Sequence, residues 1–338
     1  MIHTAVVILN WNGRHHLEKF LPSVLQYTPS QVDIVVADNG STDDSVAFLR
    51  DNFQRVRVIE LDKNYGFAAG YNKALQQVDA ECFVLLNSDV EVTEGWIEPL
   101  VATLTNDSRV AAVAPKLLSF EQRDKFEYAG AAGGFIDYLG YPFCRGRVLS
   151  TIETDNGQYD TPREVFWASG AAFCCRADLF RVLGGFDDDF FAHMEEIDLC
   201  WRMQLQGYKI MSEPRSVVYH LGGGTLPNES PRKLYLNYRN NLAMLFKCAP
   251  MSQRMVVAVL RPLADLLSAV LYVVKGQFPL AKATVKAYLD FFAWHKPLGE
   301  KRRQIRASRK SESSQILCLS MVVRYMLGAK CFSKLIKQ

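Results

Sequence analysis

Three short, wholly apolar runs near the N-terminus each stop at a cluster of polar residues. Ala5–Leu9 ends in Asn10-Trp11-Asn12-Gly13, Ile34–Ala37 in Asp38-Asn39-Gly40-Ser41, and Phe83–Leu86 in Asn87-Ser88-Asp89. A strand exposed on one face alternates polar and apolar residues; a strand covered on both faces does not. The runs therefore predict an α/β fold, a mostly parallel sheet flanked by helices. His16–Gln26 and Asp44–Asn52 read as crossover helices. Ligands of open α/β sheets bind at the carboxyl ends of the strands. The three polar clusters thus mark one candidate site.

The 338 residues, 49% of them hydrophobic, are enough for a large domain and an extension. No G-x-G-x-x-G follows the first strand, which argues against a dehydrogenase, and no G-x-x-x-x-G-K-[ST] loop marks a P-loop ATPase. The N-terminus runs straight into Ala5–Leu9, too short for a secretory apolar core, and the eight scattered cysteines lack zinc-ligand spacing. Reduced thiols in a cytoplasmic protein are the expectation. Residues 123–162, rich in Gly and Tyr, read as an irregular insert near the site. From Arg232 onward the chain reads mostly helical.

Asp38 at a strand end suits hydrogen bonds from a nucleotide base or ribose, or equally an Asx turn. Asn39 adjoins it. The small residues of Asn64-Tyr65-Gly66-Phe67-Ala68-Ala69-Gly70 let a helix start close to a ligand. Asp89, just past a buried strand, suits Mg²⁺ or Mn²⁺ held against a diphosphate. Glu195, Glu196 and Asp198 crowd a predicted helix start, where like charges raise the pKa of a general base. Dipole complementation is the simpler reading for Asp198, which pairs at i, i+4 with Arg202. His220, followed by Gly222-Gly223-Gly224, completes a metal site with Asp89 or is structural.

Taken in order, these motifs resemble glycosyltransferase family 2, the inverting nucleotide-sugar transferases of the GT-A fold, and its bacterial rhamnosyltransferase-like members most closely. The matching residues are 6–12, 38–41, 64–72, 87–89, 170–172, 185–187, 195–202 and 220–224. The resemblance implies that Asn10 and Asp38 contact the nucleotide base or ribose, and that Asn64 and the turn through Gly70 lie near the nucleoside. Asn39, Asn87 and Gly170 join them as candidate substrate-binding residues. Asn87-Ser88-Asp89 replaces the family's Asp-x-Asp, which makes Asp89 the metal ligand, with His220 in support. Glu195-Glu196 replaces its Glu-Asp, which makes Glu196 the base, with Glu195 able to share the role. The implied activity is metal-dependent inverting transfer to an acceptor hydroxyl in bacterial cell-surface polysaccharide or lipopolysaccharide synthesis. The alternative is a non-catalytic nucleotide-sugar-binding protein of the same fold. The implied partners are a nucleotide-sugar donor and a glycan or lipid-linked glycan acceptor.

The resemblance covers residues 1–245, read as the catalytic domain, and leaves 246–338 as a helical basic extension. That extension holds 17 Lys and Arg against 4 Asp and Glu, a balance of +13 that leaves −10 for the front. Such asymmetry points to an anionic partner. Within residues 255–275, Arg261, Asp265, Ser268, Tyr272 and Lys275 share one helix face. Charges at mid-helix disfavour a membrane-spanning segment and favour an amphipathic helix lying on a membrane. Anionic lipid would also attract the run from Lys301 to Lys310. The expectation is peripheral contact with the inner face of the cytoplasmic membrane; an ordinary helical subdomain packed on the catalytic domain is the alternative. Nothing resembles a base-reading element, so no nucleic acid is expected.

Overall fold

The computed structural model describes residues 2–222, 230–313, 315–318 and 320–336. It opens with β1 (Thr4–Asn10), α1 (Arg14–Tyr27), β2 (Asp33–Asp38), α2 (Ser45–Asn52), β3 (Arg57–Glu60), α3 (Gly66–Leu75) and β4 (Cys82–Asn87). β1 pairs in parallel with both β2 and β4, and β2 with β3. Val6, Ile8, Ile34 and Val36 enter one apolar core; Ala5, Val7, Val35 and Ala37 enter the other. Both faces are covered, which is why these strands are apolar throughout.

The chain continues through β5 (Val90–Val92), α4 (Glu98–Asn106), β6 (Val110–Ser119), β7 (Gly134–Asp137), β8 (Pro142–Cys144), β9 (Arg147–Val148) and β10 (Thr151–Ile152). Next come β11 (Arg163–Val165), β12 (Ala172–Arg176), α5 (Ala177–Val182), α6 (Glu195–Leu205) and β13 (Lys209–His220). α7 (Pro231–Cys248) leads into the extension, which holds α8 (Met251–Val274), α9 (Phe278–Ala293), α10 (His295–Ser308), β14 (Ile316–Leu317) and α11 (Met321–Met326). The main sheet runs β11-β13-β6-β12-β4-β1-β2-β3, with β5 added on β13. The β3-β2-β1-β4 half is parallel. β12 enters antiparallel between β4 and β6, so the other half is mixed.

The stretch expected to be irregular is largely so, but its four short strands form a second, small sheet, β10-β9-β8-β7-β14. Its strands are two to four residues long, too short to show alternation. Gly140 and Gly146 turn its corners at φ +84° and +105°, where a β-carbon is disfavoured. Its fifth strand comes from the far end of the chain: β14 pairs in parallel with β7. Phe332 is buried beside it, its ring 5.1 Å from Phe135 and 6.1 Å from Phe143. The basic extension therefore returns to the catalytic part.

Candidate active site

Strand register sets the first part of the site. Asn10 lies opposite Asp38, and Leu9 opposite Asn87, so the polar ends of β1, β2 and β4 stand side by side. Asn10 Nδ2 donates to Asp38 Oδ1 at 3.1 Å, and Asp38 Oδ2 accepts from the Ser41 amide at 2.9 Å. Asp38 thus makes the Asx-type turn as well as capping the strand. Asn10 Oδ1 is buried without a hydrogen-bond partner. A β-carbon on Gly13 would come 2.3 Å from it and 3.7 Å from Ser88 Oγ, so this oxygen lies where the three strand-end loops converge.

The turn from Asn64 to Gly70 serves the protein's own chain. Asn39 Nδ2 donates to Asn64 Oδ1 and to the Gly66 carbonyl, while its Oδ1 accepts from the Tyr65 amide. A β-carbon on Gly70 would stand 3.0 Å from Asn39 Nδ2 and from Leu9 Cδ2. Gly66, at φ +78°, lets α3 start against the Phe191 carbonyl, which accepts from the amides of Phe67 (2.6 Å) and Ala68 (3.2 Å). The first amides of this helix hold the loop that precedes Glu195.

β13 delivers the histidine. A register shift between Glu213 and Val217 carries its last residues alongside β5, with His220 opposite Val90. His220 Nε2 then lies 3.2 Å from Asp89 Oδ1, and its Nδ1 lies 3.3 Å from Glu127 Oε1. Asn87 Nδ2 is 3.5 Å from the same Nε2. All three ionisable groups are buried. Burial alone would lower the histidine pKa, but the Asp89 and Glu127 carboxylates outweigh it and push it up to about 10. Burial likewise works against Asp89, yet His220 holds it below the ordinary carboxylate value. Gly223 and Gly224 lie outside the described residues.

Asp89 and His220 fit a divalent cation. Adjacent ligands of an octahedral Mg²⁺ or Mn²⁺ stand about 3 Å apart, given ligand bonds of roughly 2.1 Å; these two atoms stand that far apart as an ion pair, so a cation would displace the His220 Nε2 proton. Glu127, on the far ring nitrogen, is the carboxylate that metal-bound histidines commonly carry behind them. Among the described residues no group of three or more His, Cys, Asp or Glu is placed to hold a metal. Such a cation would take its remaining ligands from a diphosphate and water.

The acidic pair opens α6, and the loop before it is strained. Phe191, His193 and Met194 have φ of 63°, 70° and 73°, and such backbone persists only where surroundings enforce it. Here Asn240 of α7 enforces it, its Nδ2 reaching the carbonyls of Phe190, Ala192 and His193 at 3.0, 2.9 and 2.8 Å. Glu195 is buried and Glu196 half-buried, and each keeps an enclosed Oε2 without a partner. Burial pushes Glu196 up to about 7. Burial, and then the charge of Glu196, push Glu195 well above the usual carboxylate range. A β-carbon on Gly170 would touch Phe67 at 3.2 Å and Glu196 Cβ at 3.9 Å. Ala171, next to it, accepts from the Asn87 amide, linking the acidic pair to the end of β4. Asp198 pairs with Arg202 at 2.8 Å, as the spacing suggested, and also with the buried Lys247 at 2.8 Å.

Glu127, Asn240 and Lys247 are the site residues that sequence reasoning missed. The Asn240-Asn241 pair within an otherwise good helix was the available signal, because asparagine is a poor helix former.

Comparison with known proteins agrees with this geometry. The description of glycosyl transferase family 2 matches residues 5–181, just over half of the chain. An N-acetylglucosaminyl-diphospho-decaprenol L-rhamnosyltransferase of Mycobacterium tuberculosis is 28% identical over 233 residues, 64% of this chain and 75% of that one. The low-salt glycan biosynthesis hexosyltransferase Agl10 of Haloferax volcanii is 20% identical over 70% of this chain and 73% of its own. Among solved structures, GalNAc-T7 with UDP, GalNAc and Mn²⁺ shares the fold at TM-score 0.60 and 18% identity, over 78% of this chain and 51% of that one. The Pyrobaculum calidifontis mannosyltransferase complexed with GDP-Man and Mn²⁺ does so at TM-score 0.54 and 14% identity, over 91% and 86%. With strand-end polar clusters, a GT-A sheet and these relatives in one chain, the protein belongs to glycosyl transferase family 2 and is a glycosyltransferase of the hexosyltransferase type.

Proposed function

We propose that this chain transfers a hexose from a nucleotide-sugar donor to an acceptor hydroxyl with inversion at the anomeric carbon, and that it needs a divalent metal to do so. The observation that carries the reading is the pairing of two features: Asp89 and His220 at cation-ligand separation, and the unpartnered Oε2 atoms of Glu195 and Glu196 on the other side of the β4 end. A cation held by Asp89 and His220 would neutralise charge on the leaving nucleoside diphosphate.

The chain's own groups supply the remainder. Asn10 and Asp38 at the strand ends receive the nucleoside. Glu196, its carboxylate poised near neutrality by burial, takes the proton of the acceptor hydroxyl as the oxygen attacks the anomeric carbon from the face opposite the leaving group. Single displacement inverts that centre. Glu195, raised by burial and by the charge of Glu196, stands beside it as a second carboxyl.

The Mycobacterium relative makes L-rhamnose the first donor sugar to test. A glycan or lipid-linked glycan is the acceptor class, within bacterial cell-surface polysaccharide or lipopolysaccharide synthesis. A panel of nucleotide sugars with and without Mn²⁺, read by nucleoside diphosphate release and by NMR of the new anomeric centre, tests this. Metal-dependent release with inversion is expected. Retention of configuration, or full activity in excess EDTA, would refute it.

A further inference from the structure

α8 is built with its polarity reversed. Its inward stripe is Gln253, Val257, Arg261, Asp265 and Ala269, at intervals of four. Arg261 Nε donates to Asp265, its guanidinium also reaches Asn241 Oδ1 at 2.7 Å and the Leu139 carbonyl at 2.9 Å, and Tyr141 and Tyr288 donate to Asp265 at 2.9 and 2.7 Å. The mid-helix charges are thus paired, hydrogen-bonded and closed against the catalytic domain. The apolar stripe faces out: Val259, Leu263, Leu266 and Leu267 are each 61% exposed.

α9 extends the same surface. Phe278, Val285, Leu289 and Phe292 are exposed along it. Leu266, Val270, Val273 and Val274 of α8 face Val285 and Leu289 across an open apolar groove of about 630 Å³. An exposed apolar patch of this extent marks an interaction surface.

Charge identifies the occupant. Lys282 lines the groove, Lys275 is exposed just past α8 and Lys296 in the first turn of α10. Beside the start of α8, Met251, Arg302, Arg306 and Arg309 line a second pocket of about 260 Å³, with Glu312 as its one acid. A second copy of the chain would set these cations against their own like. A lipid bilayer with anionic headgroups would meet both features at once.

We propose that the α8–α9 pair lies flat on an anionic bilayer, its leucine and valine stripe in the acyl boundary and the arginine pocket on a lipid phosphate. The helix does not cross the membrane, because Arg261 and Asp265 are bound from the protein side. Lys301, counted from sequence among the headgroup contacts, instead pairs with Asp187 and Asp189, and Arg302 also holds the Phe246 carbonyl. Arg303 and Arg306 remain exposed. This inference stands whichever sugar is transferred.

Vesicle flotation of the full chain tests it, using phosphatidylcholine alone and with phosphatidylglycerol added. Flotation with the anionic vesicles is expected, weakening in high salt. The double variant Leu263→Glu/Leu267→Glu should lower binding at least about tenfold, and Arg303→Glu/Arg306→Glu about as much. Both should keep the wild-type melting temperature and nucleoside diphosphate binding. Val285→Glu/Leu289→Glu probes the same face from α9, should the first pair disturb folding. Wild-type flotation by all three variants, or none by the wild type, would overturn the proposal. So would a dimer in light scattering that Leu263→Glu/Leu267→Glu dissolves, since the face would then belong to a second copy.

Discussion

Glu127 Oε1 lies 3.3 Å from His220 Nδ1, on the side of the ring opposite Asp89. This ion-pair contact lies behind the ring and leaves Nε2 as the atom that faces Asp89. Glu127→Gln should therefore weaken Mn²⁺ binding about 10- to 100-fold, the usual effect of losing such an orienting partner. Calorimetry with Mn²⁺ and a nucleoside diphosphate reads this without turnover. Unchanged affinity would leave Glu127 a purely structural residue.

Asp89→Ala removes the carboxylate proposed to ligate the cation. It should abolish transfer and weaken donor binding in the presence of Mn²⁺, with little effect on donor binding in EDTA. His220→Ala should do the same to a lesser degree. Equal donor binding by wild type and Asp89→Ala in Mn²⁺ would exclude the metal-bridging role.

Glu196→Gln keeps shape but cannot accept a proton. It should bind donor normally and lose at least about a hundredfold in kcat. In the wild type the base works deprotonated, so kcat/KM should rise with pH through about 7 and then level. Stability should move the other way. A carboxyl whose folded pKa is raised carries no penalty below its unfolded value; the penalty grows as pH rises toward 7 and persists above. Glu196→Gln should thus stabilise the fold at pH 8 by on the order of 1–3 kcal/mol and do little at pH 4. If Glu195→Gln alone shows the kinetic loss, the base lies one residue earlier.

Asn240 touches no reacting group; it positions the loop that launches α6. Asn240→Asp keeps the size but replaces the donating NH2 with an oxygen, removing that donor from the Ala192 and His193 carbonyls, while the Phe190 carbonyl keeps the Ala192 amide. We expect kcat to fall about 10- to 100-fold from misplacement of Glu196, with donor KM little changed. A parallel loss in donor binding would point to general unfolding instead.

The parallel half of the sheet was legible because β1, β2 and β4 are covered on both faces, and the polar residues at their ends announced the site. The partner of His220 was only half legible. Its proximity to Asp89 depends on the register shift in β13, and no local pattern encodes that. Glu127 was hidden in a stretch with no periodicity, before strands too short to be read. The spacing of Arg261 and Asp265 correctly put both on one face of α8. Which way that face points depends on Tyr141, Asn241 and Tyr288, on three other elements.

The return of the chain to the small sheet orders its assembly. Asp137 Oδ2 accepts from the Met321 amide at 2.9 Å across 184 residues, and β14 lies along β7 beside it. During synthesis, β7 has no partner on that edge until residues 316–317 have emerged, and α8 and α9 are made in the interval. The α8–α9 pair is therefore synthesised before the small sheet can gain its last strand. Chains cut after residue 310 should leave the β7 edge open and be cleaved by protease within residues 134–160 far faster than the full chain. Resistance equal to the full chain would show that the small sheet closes without its last strand.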